Sequence, residues 1–154
     1  MIDDLPEFLA HAVRLEANAA EGYDWLAATM DGHGNTEAAA LFRKLGEFSR
    51  LHLAETQARY RQLVGEFVDL PGREWRWPDA HSPENPRSVT PARTIATRQA
   101  IQLALGLERD ACDFYSSVAN QTVNPQVQEL AQTFAEEEAE HVQHLERWLA
   151  RMAG

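Results

Sequence analysis

Four long runs of apolar residues at spacings of three and four, each bounded by Gly, Pro or a capping residue, leave this chain little choice but a bundle of helices. The first run opens at Asp4-Leu5-Pro6, with acidic residues where a helix start favours them, and stops at the Asp31-Gly32-His33-Gly34 break. It predicts a helix over about 5–30. The second takes Asn35 or Thr36 as its N-cap, has Glu37 in its first turn and runs without Gly or Pro from Glu47 to Val64, predicting a helix over about 36–64. The third pairs Thr90 as N-cap with Pro91 at the first helical position, over about 91–119. The fourth repeats that device with Asn124 and Pro125, over about 125–152.

Between the second and third helices lies a stretch over about 66–89 that contains Pro71, Gly72, Pro78, Pro83 and Pro86 and carries no strand or helix pattern. Structureless connections of this length are uncommon in compact domains. A crossover is the economical explanation. Helices of about 25–30 residues are about 40 Å long, and an extended segment of about 25 residues reaches about 80 Å, enough to run the length of a bundle. Two helical hairpins joined in this way pack side by side as one all-α four-helix domain. Trp75 and Trp77 would pin the strap to the helices, the alternative being a partner-binding or site-covering role.

Composition narrows the function classes. The 154 residues make one domain of ordinary size, with 44% hydrophobic and 25% charged residues. A net charge of −10 disfavours nucleic acid and anionic membrane surfaces as partners. The single cysteine, Cys112, forbids an intrachain disulfide and any four-cysteine metal site, and fits a reducing compartment. The opening Met-Ile-Asp-Asp-Leu-Pro lacks the basic and apolar regions of a signal peptide, and no window is apolar enough for a membrane helix, so the expectation is a cytoplasmic protein.

The chemistry lies in what interrupts the apolar stripes. In the first helix Leu5, Leu9, Ala12, Glu16, Ala19, Tyr23 and Leu26 share a face; in the third, Ile101, Ala104 or Leu105, Glu108, Ala111 or Cys112, and Tyr115 do the same. Each helix thus sets a Glu on its apolar face with a Tyr seven residues on, nearly two turns along. The fourth helix carries Leu130, Phe134, Glu138, His141, Leu145 and Trp148 on its stripe, so Glu138 and His141 form a Glu-x-x-His pair, while Glu136, Glu137 and Glu140 fall largely off it as a solvated face. On the second helix His52 occupies the corresponding position, with Ser49 where the paired Glu would stand. Any one of these residues has a plainer explanation: a boundary Glu that snorkels to water, or a hydrogen-bonded core His. Together, at one level of a bundle, they would cost several kcal/mol per uncompensated charge. Metal ions supply the missing positive charge, and a Glu from each of two helices with a Glu-x-x-His from each of the other two is the pattern of carboxylate di-metal bundles.

The segment from Thr90-Pro91 through Ala100–Tyr115, followed by Phe134-Ala135-Glu136-Glu137-Glu138-Ala139-Glu140-His141, resembles the rubrerythrin branch of the ferritin-like superfamily over nearly the whole chain, most weakly in the linker. That resemblance implies a ferritin-like four-helix bundle of two hairpins with a long crossover, holding two iron ions that react with peroxide or dioxygen. Carried over residue by residue, it implies Glu16, His52, Glu108, Glu138 and His141 as metal ligands, with Tyr23 and Tyr115 supporting them. Manganese and zinc suit the same donors.

Three departures bear on function. Ser49 replaces a carboxylate, so two divalent ions would face three ligand carboxylates and two imidazoles, a formal +1; Glu55 one turn beyond His52, or Ser49 with water, is the candidate to complete the set. One ion, beside Glu108, Glu138 and His141, should then bind more tightly than its neighbour beside Glu16 and His52. Ala111 stands where some peroxide-reducing relatives carry a further Glu on the third helix. One cysteine cannot build a rubredoxin-like domain, so redox turnover needs an external electron donor. The leading expectation is a di-iron peroxidase or ferroxidase-type oxidoreductase; the alternatives are a non-enzymatic iron-binding or storage protein and a helical interaction module with a degenerate site. A homodimer is compatible with the sequence.

Overall fold

The computed structural model describes residues 2–66 and 97–153, which form four helices: α1 (Leu5–Gly32), α2 (Thr36–Leu63), α3 (Thr97–Gln121) and α4 (Pro125–Ala153). Local chemistry fixes the ends. The Asp4 carboxylate accepts from the Glu7 backbone N–H at 3.0 Å, satisfying one of the free donors of the first turn of α1. Asn35 does the same for α2 by accepting from Ala38 N at 3.1 Å, and Asn124 for α4 by accepting from Gln126 N at 2.9 Å. Between α1 and α2, Gly34 adopts φ 79°, a left-handed conformation that costs other residues more, and the chain reverses within Gly32–Asn35. The predicted Thr90–Pro91 start of the third helix and the Trp-containing linker lie outside the described residues.

Helices pack most extensively within the pairs α1–α2 and α3–α4, the two expected hairpins. Gly46 permits a close approach in the first: a Cβ there would lie 2.9 Å from the Asp24 Oδ1 and 3.5 Å from the Tyr23 Cβ. In the second, the Asp3 carboxylate accepts from Thr122 Oγ1 and Val123 N, both at 2.9 Å, and so ties the start of α1 to the α3–α4 turn.

The core divides into two apolar clusters. One gathers Tyr23, Leu26 and Met30 of α1, Leu41, Phe42 and Leu45 of α2, Ile101 and Leu105 of α3, and Leu145 of α4. The other gathers Phe8, Leu9 and Leu15 of α1, Phe114 and Tyr115 of α3, and Val127, Leu130 and Phe134 of α4, with Tyr60 of α2 packed against it. Each fully buried large side chain contributes about 1.5–3 kcal/mol, so the two clusters together hold the bundle. Their order along the chain also fixes the topology. α1 and α4 run from the second cluster to the first, α2 and α3 from the first to the second. Parallel α2 and α3 require the chain after α2 to return to the opposite end of the bundle, which is the topology of a four-helix bundle with one long crossover.

Candidate metal centre

Between the two apolar clusters every helix contributes polar residues to one layer. Glu16, Ser49, Glu108 and Glu138 are buried there, each 4% exposed or less, and His52 and His141 close the layer from α2 and α4. Helical periodicity puts them there: each sits on the same stripe as the core residues one turn above and below it.

The five residues expected as ligands come together as two groups that share one member. Single ligand atoms of Glu16, His52 and Glu138 lie within 4.8 Å of one another, as do those of Glu108, Glu138 and His141. Glu138 spans both. Its Oε1 is 3.8 Å from His52 Nδ1 and its Oε2 is 3.5 Å from His141 Nδ1. Glu16 Oε1 is 3.8 Å from His52 Nδ1, and Glu108 Oε2 is 3.6 Å from His141 Nδ1. These are ion-pair separations, too long for good hydrogen bonds. The imidazoles stack with centroids 4.9 Å apart, and Phe48 stacks on His141 at 5.4 Å.

Tyr23 is fully buried and its hydroxyl donates to Glu108 Oε1 at 3.3 Å, so α1 supports a carboxylate of the opposite hairpin. Tyr115 is equally buried, its ring set edge-on against Phe8 and Phe134. Ser49 is buried in the layer, and Ala111 is a buried apolar residue. Glu55, considered above as a replacement for the missing carboxylate, is exposed; it groups with His52 and Glu137 instead. Glu137, read above as part of a solvated face, is half-buried and approaches His52. The His52–Glu55 spacing of one turn was a usable signal, but Glu137 joins them only through the rotation of α4 against α2, which no stripe specifies.

The carboxylates and imidazoles of the layer shift one another's protonation. Burial raises the Glu16 carboxyl above the usual range, and burial with the neighbouring Glu138 pushes Glu108 up to about 7. Burial alone would lower the histidines, but Glu138 and Glu16 outweigh it and push His52 up to about 11, while Glu108 and Glu138 push His141 up to about 10. Protons therefore balance charge in the metal-free site. Glu108 Oε2 and Glu138 Oε2 are buried without a hydrogen-bond partner, a costly state that a bound cation relieves. With bonds of about 2.1 Å, two ligands of one ion sit up to about 4.2 Å apart, so small side-chain rotations close each group onto a metal. The donor set fits two ions.

Among the described residues no helix is long and apolar enough to cross a membrane. The rubrerythrin family model matches residues 99–154. Among solved structures, the crystal structure of an uncharacterized conserved protein from Magnetospirillum magnetotacticum MS-1 is 34% identical over 96% of this chain and 95% of that one, with a TM-score of 0.71. A hypothetical protein from Pyrococcus furiosus, 23% identical over 96% of this chain and 89% of that one with a TM-score of 0.55, shares the fold. No curated protein matches. The family match covers the α3–α4 hairpin that supplies Glu108, Glu138 and His141, and the 34% identical relative extends the likeness across the first hairpin, so the chain belongs to the rubrerythrin-like branch of the ferritin-like superfamily.

Proposed function

We propose that the protein is a di-metal oxidoreductase, with iron as its working metal, that reacts with peroxide or dioxygen and draws electrons from an external donor. One observation carries the reading: Glu138 faces His52 with one oxygen and His141 with the other, so a single buried carboxylate serves two ligand groups at once. Glu16 and His52 would complete one metal position, and Glu108 and His141 the other. Bound iron supplies one-electron chemistry and Lewis acidity. The protein's own part is to hold the carboxylates and imidazoles in place before metal arrives. Tyr23 steadies Glu108 through its hydroxyl, and Phe48 fixes the plane of the His141 ring. The apolar clusters close the layer above and below.

The test has two stages. Protein purified without added metal or chelator should hold two metal ions per chain, or take up two Fe²⁺ when metal-free. The reduced, loaded protein should then be oxidised by hydrogen peroxide or dioxygen and turn over with an added reductant. Failure to take up metal defeats the metal-centre reading. Uptake of two ions with no reaction toward either oxidant defeats the oxidoreductase reading and leaves a metal-binding protein.

A further inference from the structure

Outside the buried layer, α2 and α4 bring together a second ligand set that uses one member of the first. One ligand atom from each of His52, Glu55 and Glu137 lies within 4.8 Å of the other two. The set is an imidazole with two carboxylates, the same donor chemistry as the buried groups and distinct from a patch of acids. Exposure falls in order from outside to inside: Glu55 is exposed, Glu137 and His52 are half-buried, and Glu16 and Glu138 are buried. The two carboxylates face each other across the α2–α4 seam with His52 as the third donor of the group.

We propose that His52, Glu55 and Glu137 form an outer metal station through which a divalent ion enters the buried centre. His52 is the ligand common to both positions. The ion first exchanges part of its hydration shell for Glu55, Glu137 and His52, then moves inward as Glu16 and Glu138 replace the two outer carboxylates. Dehydrating a divalent ion in two stages avoids meeting the whole desolvation cost at once, and the outer carboxylates raise the local cation concentration at the entrance. This role rests on the reading of the buried layer as a metal centre. It also gives a function to Glu55, which joins neither buried group.

The experiment is stopped-flow loading of metal-free full-length protein with Co²⁺, whose visible absorption reports entry into the ligand field, alongside equilibrium titration. The variants are Glu55→Gln, Glu137→Gln and their combination, with Glu136→Gln as a control for loss of one nearby negative charge. The double variant should load at least about tenfold more slowly, release Co²⁺ correspondingly more slowly, and still reach two ions per chain with unchanged affinity. The control should shift the rate less than about twofold, as expected for a screened surface charge. Wild-type rates in the double variant, or an effect no larger than the control's, overturn the outer station while the buried centre stands. A fall to one ion per chain overturns it differently, by making Glu55 and Glu137 permanent ligands. If the wild-type chain takes up no Co²⁺, the metal-centre reading falls and the station with it.

Discussion

The two hairpins bring nearly the same device to the middle of the bundle and differ at one decisive position. Glu16 and Tyr23 on α1 match Glu108 and Tyr115 on α3, each Tyr seven residues beyond its Glu, and His52 on α2 matches His141 on α4. Three residues before the histidine, α4 has Glu138 and α2 has Ser49. Counting residues by hairpin therefore suggests one well-furnished ion and one poor one. The geometry distributes the ligands differently. Each histidine has a carboxylate of its own hairpin, Glu16 or Glu108, and both share Glu138. The inequality that remains is one of preorganisation. Glu138 and His141 lie one turn apart on a single helix, so the backbone sets their spacing; Glu138 and His52 meet only if the hairpins pack correctly. A residue on the seam belongs to both halves, and its loss or duplication tests the comparison most severely.

Glu138→Gln should have the largest effect. It keeps the shape and removes the shared charge, so both ions should be lost at concentrations that saturate the wild type, a penalty beyond the roughly 10–100-fold typical of a supporting residue. Adding Ser49→Glu to that variant moves the shared carboxylate to the other hairpin. Titration of the double variant should recover metal binding in part; no recovery would mean that the two hairpins are not interchangeable at this position. Ser49→Glu alone should act with opposite signs in the two states. Without metal it buries a fourth carboxylate and should cost about 1–3 kcal/mol, visible as a lower Tm. With two ions bound it brings the formal charge to zero and should raise both Tm and the affinity of the weaker binding step.

Much of this comparison was legible in the sequence because helix caps and apolar stripes are local signals. Asp4, Asn35 and Asn124 sit where free backbone donors need them, and Glu16, Glu108, Glu138 and His141 interrupt stripes whose other members are core. What was not legible depends on how helices are rotated and spaced after they pack. Stripe spacing places Glu138 inward but does not say that its two oxygens divide between two histidines. It leaves Glu137, one residue and about 100° away, free to be solvent-facing or to approach α2. The Tyr23 hydroxyl reaching across to Glu108 is likewise a tertiary fact, since its sequence neighbours suggest only support for Glu16.

Protonation offers an effect of intermediate size. The folded pKa values of His52 and His141, about 11 and about 10, lie above the ordinary value of 6.5. Their contribution to stability is thus fully present below about pH 6.5 and is lost as pH rises through 10–11. Glu108, raised to about 7, acts in the same direction: its contribution is complete below the ordinary value of 4.5 and lost as pH rises through about 7. The metal-free protein should therefore lose stability from pH 6 to pH 9, by up to about 1.4 kcal/mol per pH unit for each proton that only the folded state holds. Metal binding must displace the same protons, so apparent affinity should rise over that range and titrations should release protons to the buffer. Thermal unfolding of metal-free protein with the opposite slope would show that the imidazoles are neutral and that the two halves are not charged alike.

The smallest expected effect asks how far the equivalence of the hairpins extends. Tyr23→Phe removes one hydroxyl that donates to Glu108 Oε1 at 3.3 Å, a bond worth about 0.5–1.5 kcal/mol, and leaves the apolar packing of the ring in place. Two ions should still bind. The loss of affinity should be less than about tenfold, the equivalent of 1.4 kcal/mol, and confined to the ion beside Glu108 and His141. Tyr115 lies on the other side of the layer, buried against Phe8 and Phe134 in the second apolar cluster as Tyr23 is in the first. If the pseudo-twofold relation between hairpins reaches beyond the helices to the groups that steady the carboxylates, Tyr115→Phe should weaken the other ion by a similar factor. Two-step titrations of the two variants decide the matter: reciprocal losses support functional equivalence, whereas loss at the same step in both, or none in Tyr115→Phe, would confine the symmetry to the backbone and leave Tyr23 a support peculiar to Glu108.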